Sequence, residues 1–256
     1  MVLGIIGVGA IAAAIVTGLC TEPTGEEAIL LSPRNPQRAA ALAVAFPRVR
    51  VAATSQAVLD GADTVLLCLR PQDAPEALAG LRFAPRHAVV SAMAGLSLEW
   101  LREMLGPVHS IARAIPLPAA ARRRSTTPIF PATEAARTLF GSLGTVIAVA
   151  DEAAFEGFAA ASSTVAAHFA ALETIARWLA GKGTAAPAAR AYVAALFAEA
   201  SAPLSDPDVD FAALAQEHAT PGGLNEQFRR HLDEAGTYAA MAQGLDRVLS
   251  RIAGPR

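Results

Sequence analysis

Lysine is nearly missing from this chain. Of 21 basic residues only Lys182 is a lysine, so chemistry that depends on a lysine amine has a single residue to draw on. That residue sits in Gly-Lys-Gly, a sequence suited to the end of a helix. Cysteine is almost as scarce. Cys20 and Cys68 each lie inside an apolar segment, which argues against a disulfide framework and fits a reducing, cytoplasmic setting. The five histidines are scattered, with no Cys/His spacing of a zinc site, so no metal is expected. Aromatic residues make up 5% of the chain, which favours closely packed helices over a broad aromatic binding surface. Positive charge is not concentrated either. The formal net charge is −2 and the one basic run, Arg122-Arg123-Arg124, is too short for a nucleic-acid footprint.

Small apolar residues are abundant instead. Residues 2–20, VLGIIGVGAIAAAIVTGLC, carry no charge and reach the length of a membrane span. Much of the stretch is Ala and Gly, however, and no Lys or Arg anchors either end, so no membrane partner is expected. A secretion signal would start with basic residues, and the first one is Arg34. The internal order predicts a strand over Val2–Ile6, a tight turn at Gly7-Val8-Gly9 and a helix from Ala10 to Leu19, the first βα unit of a Rossmann-type dinucleotide-binding fold. Gly7 permits the sharp turn, Gly9 lets backbone approach a pyrophosphate, and Ala12, at the third motif position, permits close packing of helix on strand. The phosphates would sit on the bare N–H groups that open this helix, at Ala10, Ile11 and Ala12.

The pattern continues downstream. AILLS at 28–32 predicts a second strand and PRNPQRAAALAVAF a helix starting near Pro36. No Asp or Glu closes that strand to bind ribose hydroxyls. Ser32, Arg34 and Asn35 offer donors suited to a 2′-phosphate, so NADPH is favoured over NADH. Further strands are predicted within 62–72 and 87–95. Their ends place Cys68, Leu69, Arg70 and Pro71, and Ala94 with Gly95, beside the cofactor. VHSIARAIPLP, TTPIFP and TVIAVAD (145–151) extend the sheet. Beyond Glu152 only Ala-rich helical segments are predicted, near 153–180, 186–201, 208–217 and 224–253. The expected architecture is α/β: a Rossmann NAD(P)-binding domain over 1–151, then an all-α substrate and dimerisation domain over 152–256. So many apolar residues on those helices imply a surface that one small domain cannot hide alone, hence a homodimer or a higher oligomer.

Several stretches together resemble the pyrroline-5-carboxylate reductases, which reduce a cyclic imine to proline with NAD(P)H. They are IIGVGAIAAAIVTGL, LSPRNPQRAAAL, ADTVLLCLRPQ, SAMAGLSLEWLREMLG, LFGSLGTVIAV and ATPGGLNEQFRRHLDEAGTYAAM. The resemblance implies interleaved helical domains in a dimer and an imine or amino-acid-like carboxylate as the small-molecule substrate. It also implies that the loop from Ala219 to Asn225 holds the substrate carboxylate. Thr220, Gly222, Gly223 and Leu224 are then substrate-binding residues, Asn225 the catalytic one, and Ser163 a retained member of the family's serine-rich stretch. Gly222-Gly223 fits that role chemically, since it leaves backbone donors bare at a helix start. The sequence also departs from the family. ASSTVAA at 161–167 stands where the family has Ser-Gly-Ser-Gly-Pro-Ala-Tyr, and Ile115-Pro116-Leu117 stands for Met-Pro-Asn. A reductase of another imine or carbonyl, and a non-catalytic nucleotide-binding regulator, are therefore the competing readings.

Overall fold

In the computed structural model, which describes residues 2–21, 28–206 and 208–254, eight strands form one sheet. They are β1 (Leu3–Ile6), β2 (Ile29–Leu31), β3 (Val49–Val51), β4 (Thr64–Leu67), β5 (Ala88–Ser91), β6 (Ser110–Ala114), β7 (Ser125–Phe130) and β8 (Gly144–Ala148). Their order is β3-β2-β1-β4-β5-β6-β7-β8, and every neighbouring pair is parallel except β6 and β7. Successive residues of the central strands go to opposite faces, which is why those strands are apolar throughout. Leu3, Ile5, Leu66 and Val90 share one core with α1 (Ala10–Cys20), α2 (Pro36–Ala45) and α6 (Glu134–Gly141). Ile6, Val65, Leu67 and Val89 share the other with α3 (Ser55–Gly61), α4 (Ala74–Leu78) and α5 (Leu98–Leu105).

The expected strands are present, and β3 is an addition. VRV is a three-residue edge strand with two of its residues exposed, too short and too polar to leave a periodic signal. One buried polar group sits in the second core. His87 accepts from the N–H of Ala84 at Nδ1 (3.1 Å), and its Nε2 lies 3.0 Å from the Leu59 carbonyl oxygen. Burial pushes its pKa below the ordinary imidazole value, so it is a neutral, bonded core residue.

The rest of the chain is helical, but the two long predicted helices are each divided. The segment at 153–180 becomes α7 (Glu152–Ser162) and α8 (Val165–Ala180). Between them Ser163 Oγ donates to the Ala160 carbonyl (2.7 Å) and Thr164 Oγ1 to that of Ala161 (2.8 Å), bonds that compete with continuation of the helix. After α9 (Ala186–Ala200) and α10 (Phe211–His218), the segment at 224–253 becomes α11 (Leu224–Glu234) and α12 (Thr237–Ala253). The break is Gly236, with φ +70° and its N–H on the Asp233 carbonyl, a glycine helix stop. Two compact units result, Met1–Ala159 with Ile252–Arg256, and Ala160–Arg251. Strands give way to helices near 151, whereas the units divide at Ala160. No helix among the described residues is long and apolar enough to cross a membrane.

Candidate nucleotide and substrate sites

The strand order reverses between β1 and β4, and in open parallel sheets ligands bind beyond the strand ends at such a point. There the chain places Gly7–Gly9 after β1 and Cys68–Pro71 after β4. The two segments touch: the N–H of Cys68 donates to the Ile6 carbonyl (2.8 Å). Gly7 has φ +93°, and a Cβ on it would lie 2.6 Å from the Cys68 carbonyl oxygen, so both the turn and the contact require glycine. Gly9 differs. Its backbone is extended (φ −85°, ψ −167°), and beyond its chain neighbours the nearest atom to a Cβ there would be the Cys68 carbonyl oxygen, 4.0 Å away. Beyond those neighbours nothing in the protein crowds this position, so the backbone here is open to close approach. Helix α1 has no side-chain cap and no acidic residue in its first turn. Its first intrahelical bond runs from the N–H of Ala13 to Gly9, so the N–H groups of Ala10, Ile11 and Ala12 precede the ladder and have no helical acceptor. This is a cradle that fits a pyrophosphate.

The residues expected at the 2′-phosphate divide in role. Ser32 is fully buried, and its Oγ accepts from the N–H of Gly7 (3.0 Å). This corrects its expected part: it braces the glycine turn and is not presented as a phosphate ligand. Asn35 caps α2, its Oδ1 accepting from the N–H of Arg38. Arg34 is half exposed, with Nη2 3.7 Å from Asp73 Oδ2. Arg70 is exposed and donates from Nε to the same oxygen at 2.8 Å. Leu69 is buried. Burial pushes the Cys68 thiol up to about 12, which keeps it an uncharged packing group. Ala94 is exposed beside Gly95 (φ +67°) in the turn after β5.

Sequence reasoning missed an ion cluster in the same unit. Arg113, on β6, is 1% exposed, and its Nη1 donates to Glu152 Oε1 (2.7 Å) and Glu156 Oε1 (2.6 Å). Its guanidinium also lies over the Phe155 ring at 4.6 Å. The signal was present: an arginine inside the apolar strand SIARA, and Glu152 and Glu156 one helical turn apart. Both glutamates, with Glu99, Trp100 and Gly95, line a cavity of about 500 Å³.

The helical unit holds the other expected residues, and here the sequence expectation needs correction. The backbone donors of Gly222 and Gly223 are not bare. The N–H of Gly222 donates to Glu226 Oε2 (2.7 Å), and that of Gly223 to the Thr220 carbonyl (2.8 Å). Glu226, the third residue of α11, reaches back as glutamates at this position do, and that spacing was the overlooked signal. One amide hydrogen of Asn225 is also committed, donating to the His218 carbonyl (3.0 Å). Leu224 is 84% exposed. Ser163 lies in the turn between α7 and α8, apart in sequence from the loop and with its hydroxyl on Ala160.

The model of the family described as NADP oxidoreductase coenzyme F420-dependent matches residues 2–95. Pyrroline-5-carboxylate reductase 2 of Bacillus subtilis is 25% identical over 98% of this chain and 94% of that protein. The solved 1-pyrroline-5-carboxylate reductase of Streptococcus pyogenes shares the fold with a TM-score of 0.83, 23% identity and 98% of each chain covered. The pyrroline carboxylate reductase of Plasmodium falciparum, solved with NADP bound, gives 0.80 at 14% identity, covering 98% of this chain and 97% of that one.

Proposed function

We propose that this chain, a divergent relative of the pyrroline-5-carboxylate reductases along its whole length, is an NADPH-dependent reductase of a cyclic imine carboxylate such as 1-pyrroline-5-carboxylate. The observation that carries the cofactor reading is the uncapped start of α1 at the switch point, open over Gly9. The N–H groups of Ala10, Ile11 and Ala12 would hold the pyrophosphate, and Arg34 the 2′-phosphate. Cys68 to Pro71 and Ala94-Gly95 would flank the cofactor at the strand ends. Bound there, NADPH supplies the hydride that reduces a C=N bond. The protein needs no strong acid for this when the imine is protonated, because the iminium carbon is already electrophilic. Its task is to fix the substrate and exclude water. Thr220 and the N–H groups of Leu224 and Asn225, which precede the first α11 bond from Gln227 to the Gly223 carbonyl, would anchor the carboxylate. Asn225, an amide, would orient the imine rather than protonate it.

A second reading has its own support. Glu226 already places a carboxylate on the Gly222 N–H, which suits an imine that carries no carboxylate of its own. NADPH oxidation with 1-pyrroline-5-carboxylate and with unsubstituted 1-pyrroline separates the two. The first reading expects kcat/KM at least about tenfold higher for the carboxylate, the worth of one charge-assisted anchor. The reverse order supports the second. No turnover of either, with NADPH still bound, supports a non-catalytic nucleotide-binding protein.

Assembly follows from the helical unit, where Phe169, Trp178, Tyr192, Phe211, Leu224 and Phe228 are each more than half exposed. Such a density of bare large side chains marks an interface, and the proposed occupant is a second copy of the chain. Sedimentation at micromolar concentration is expected to show a homodimer or a multiple of it. A stable monomer there would remove this part of the proposal.

A further inference from the structure

Among the described residues, Asp73 is the one carboxylate that both candidate phosphate-binding arginines share. Its Oδ2 lies 2.8 Å from Arg70 Nε and 3.7 Å from Arg34 Nη2. Arg34 follows β2 and Arg70 follows β4, the two strands that flank β1 in the sheet. The arginine–aspartate–arginine bridge therefore reaches across the end of β1, where the glycine turn begins. Each contact uses one nitrogen of its guanidinium, and among the described residues neither arginine has another acceptor. The side chains stay open to solvent, with Arg34 45%, Arg70 73% and Asp73 22% exposed. Exposed ion pairs of this kind are weak and readily exchanged.

We propose that Asp73 sets the affinity for the 2′-phosphate by holding, in the free protein, the arginine pair that the phosphate takes over; this rests on the NADPH reading above. The charge balance gives the reason. Two guanidinium groups and one carboxylate leave one net positive charge, so Asp73 offsets the repulsion between the arginines while the site still attracts an anion. An arriving 2′-phosphate brings about −1.5 to −2 charges and displaces Asp73 Oδ2 from both arginines. Asp73 then stands beside it as a like charge. The carboxylate thus competes with the phosphate for the arginines and limits how tightly it binds. Arg70, which belongs to the strand-end segment, becomes a second phosphate ligand alongside Arg34. Ligands without a 2′-phosphate leave the bridge untouched, so the device acts on the choice between the two nicotinamide cofactors and not on the pyrophosphate cradle.

The test is a calorimetric titration of 2′,5′-ADP and of 5′-ADP into the full chain and into Asp73→Asn, which keeps the side chain's shape. The expected result is about threefold to tenfold tighter binding of 2′,5′-ADP by the variant at low salt, shrinking as ionic strength rises. Binding of 5′-ADP is expected to stay as it was. Equal or weaker 2′,5′-ADP binding by Asp73→Asn, with the parent chain still preferring 2′,5′-ADP, would overturn the role of Asp73 and leave the cofactor reading intact. A parent chain that binds the two nucleotides alike would overturn the cofactor reading and this inference with it.

Discussion

Valine at position 9 is expected to lower NADPH affinity by about 100-fold or more while leaving the folded protein intact. The backbone of Gly9 is extended, a conformation open to any residue, and apart from its chain neighbours no protein atom lies closer than 4.0 Å to the position of a Cβ. The chain itself therefore has room for the side chain. Its branches would stand over the N–H groups of Ala10 and Ile11, and losing two charge-assisted bonds of about 1.5 kcal/mol each amounts to that factor. Fluorescence titration with NADPH measures the loss, and a thermal melt checks that Tm moves by no more than a few degrees. Gly7→Val is the informative contrast. Its positive φ and the 2.6 Å approach to the Cys68 carbonyl mean that this variant loses stability as well as cofactor. A Gly9→Val protein that binds NADPH within a few-fold of the parent would show that the glycine turn is structural only.

Removing the guanidinium of Arg113 is expected to cost about 3–5 kcal/mol of stability, the range for breaking one side of a buried ion pair. Arg113→Ala leaves Glu156, 12% exposed, without its cation, and opens a gap beside the Phe155 ring. Glu152 is three times as exposed and can be rehydrated, so the loss falls mainly on Glu156. Three urea denaturation curves test this division. Arg113→Ala should be the least stable variant. Adding Glu156→Gln to it should recover a good part of the loss. Glu152→Gln alone should cost about 1 kcal/mol or less, as expected for a partly solvated pair that keeps a neutral hydrogen-bonding replacement. If Glu156→Gln brings no recovery in the Arg113→Ala background, the cost comes from the cavity and not from the stranded charge.

Most strands of the first unit, β3 apart, were legible because the sheet is covered on both faces. That arrangement demands unbroken apolar strands such as LGII, TVLL and AVVS, bounded by glycine, proline and capping residues. Asn35, Thr54, Ser97 and Thr133 each cap a helix with a side-chain oxygen, and such caps can be read one residue at a time. The helical unit was less legible. Ser163, Thr164 and Gly236 end helices through single hydrogen bonds and one backbone angle, signals that are weak against long Ala-rich periodicity. The same limit applies to the loop at 220–225, where the Pro-Gly-Gly sequence suggested open donors and Glu226 had already taken one of them.

By itself the sequence determined the βα character of the first 20 residues, the need for glycine at the turn, the absence of an acidic residue after β2 and the change to helices near residue 151. Each of these depends on local conformation or on a repeating pattern, and neighbours in sequence are enough to define it. Tertiary structure alone decided which groups are already occupied. Ser32 is taken by the Gly7 N–H, 25 residues away in sequence. Arg34 is drawn to Asp73, and Arg113 is held between Glu152 and Glu156. A hydrogen bond or ion pair needs its two groups within about 3–4 Å, and only the folding of distant strand ends onto one edge of the sheet brings these pairs that close.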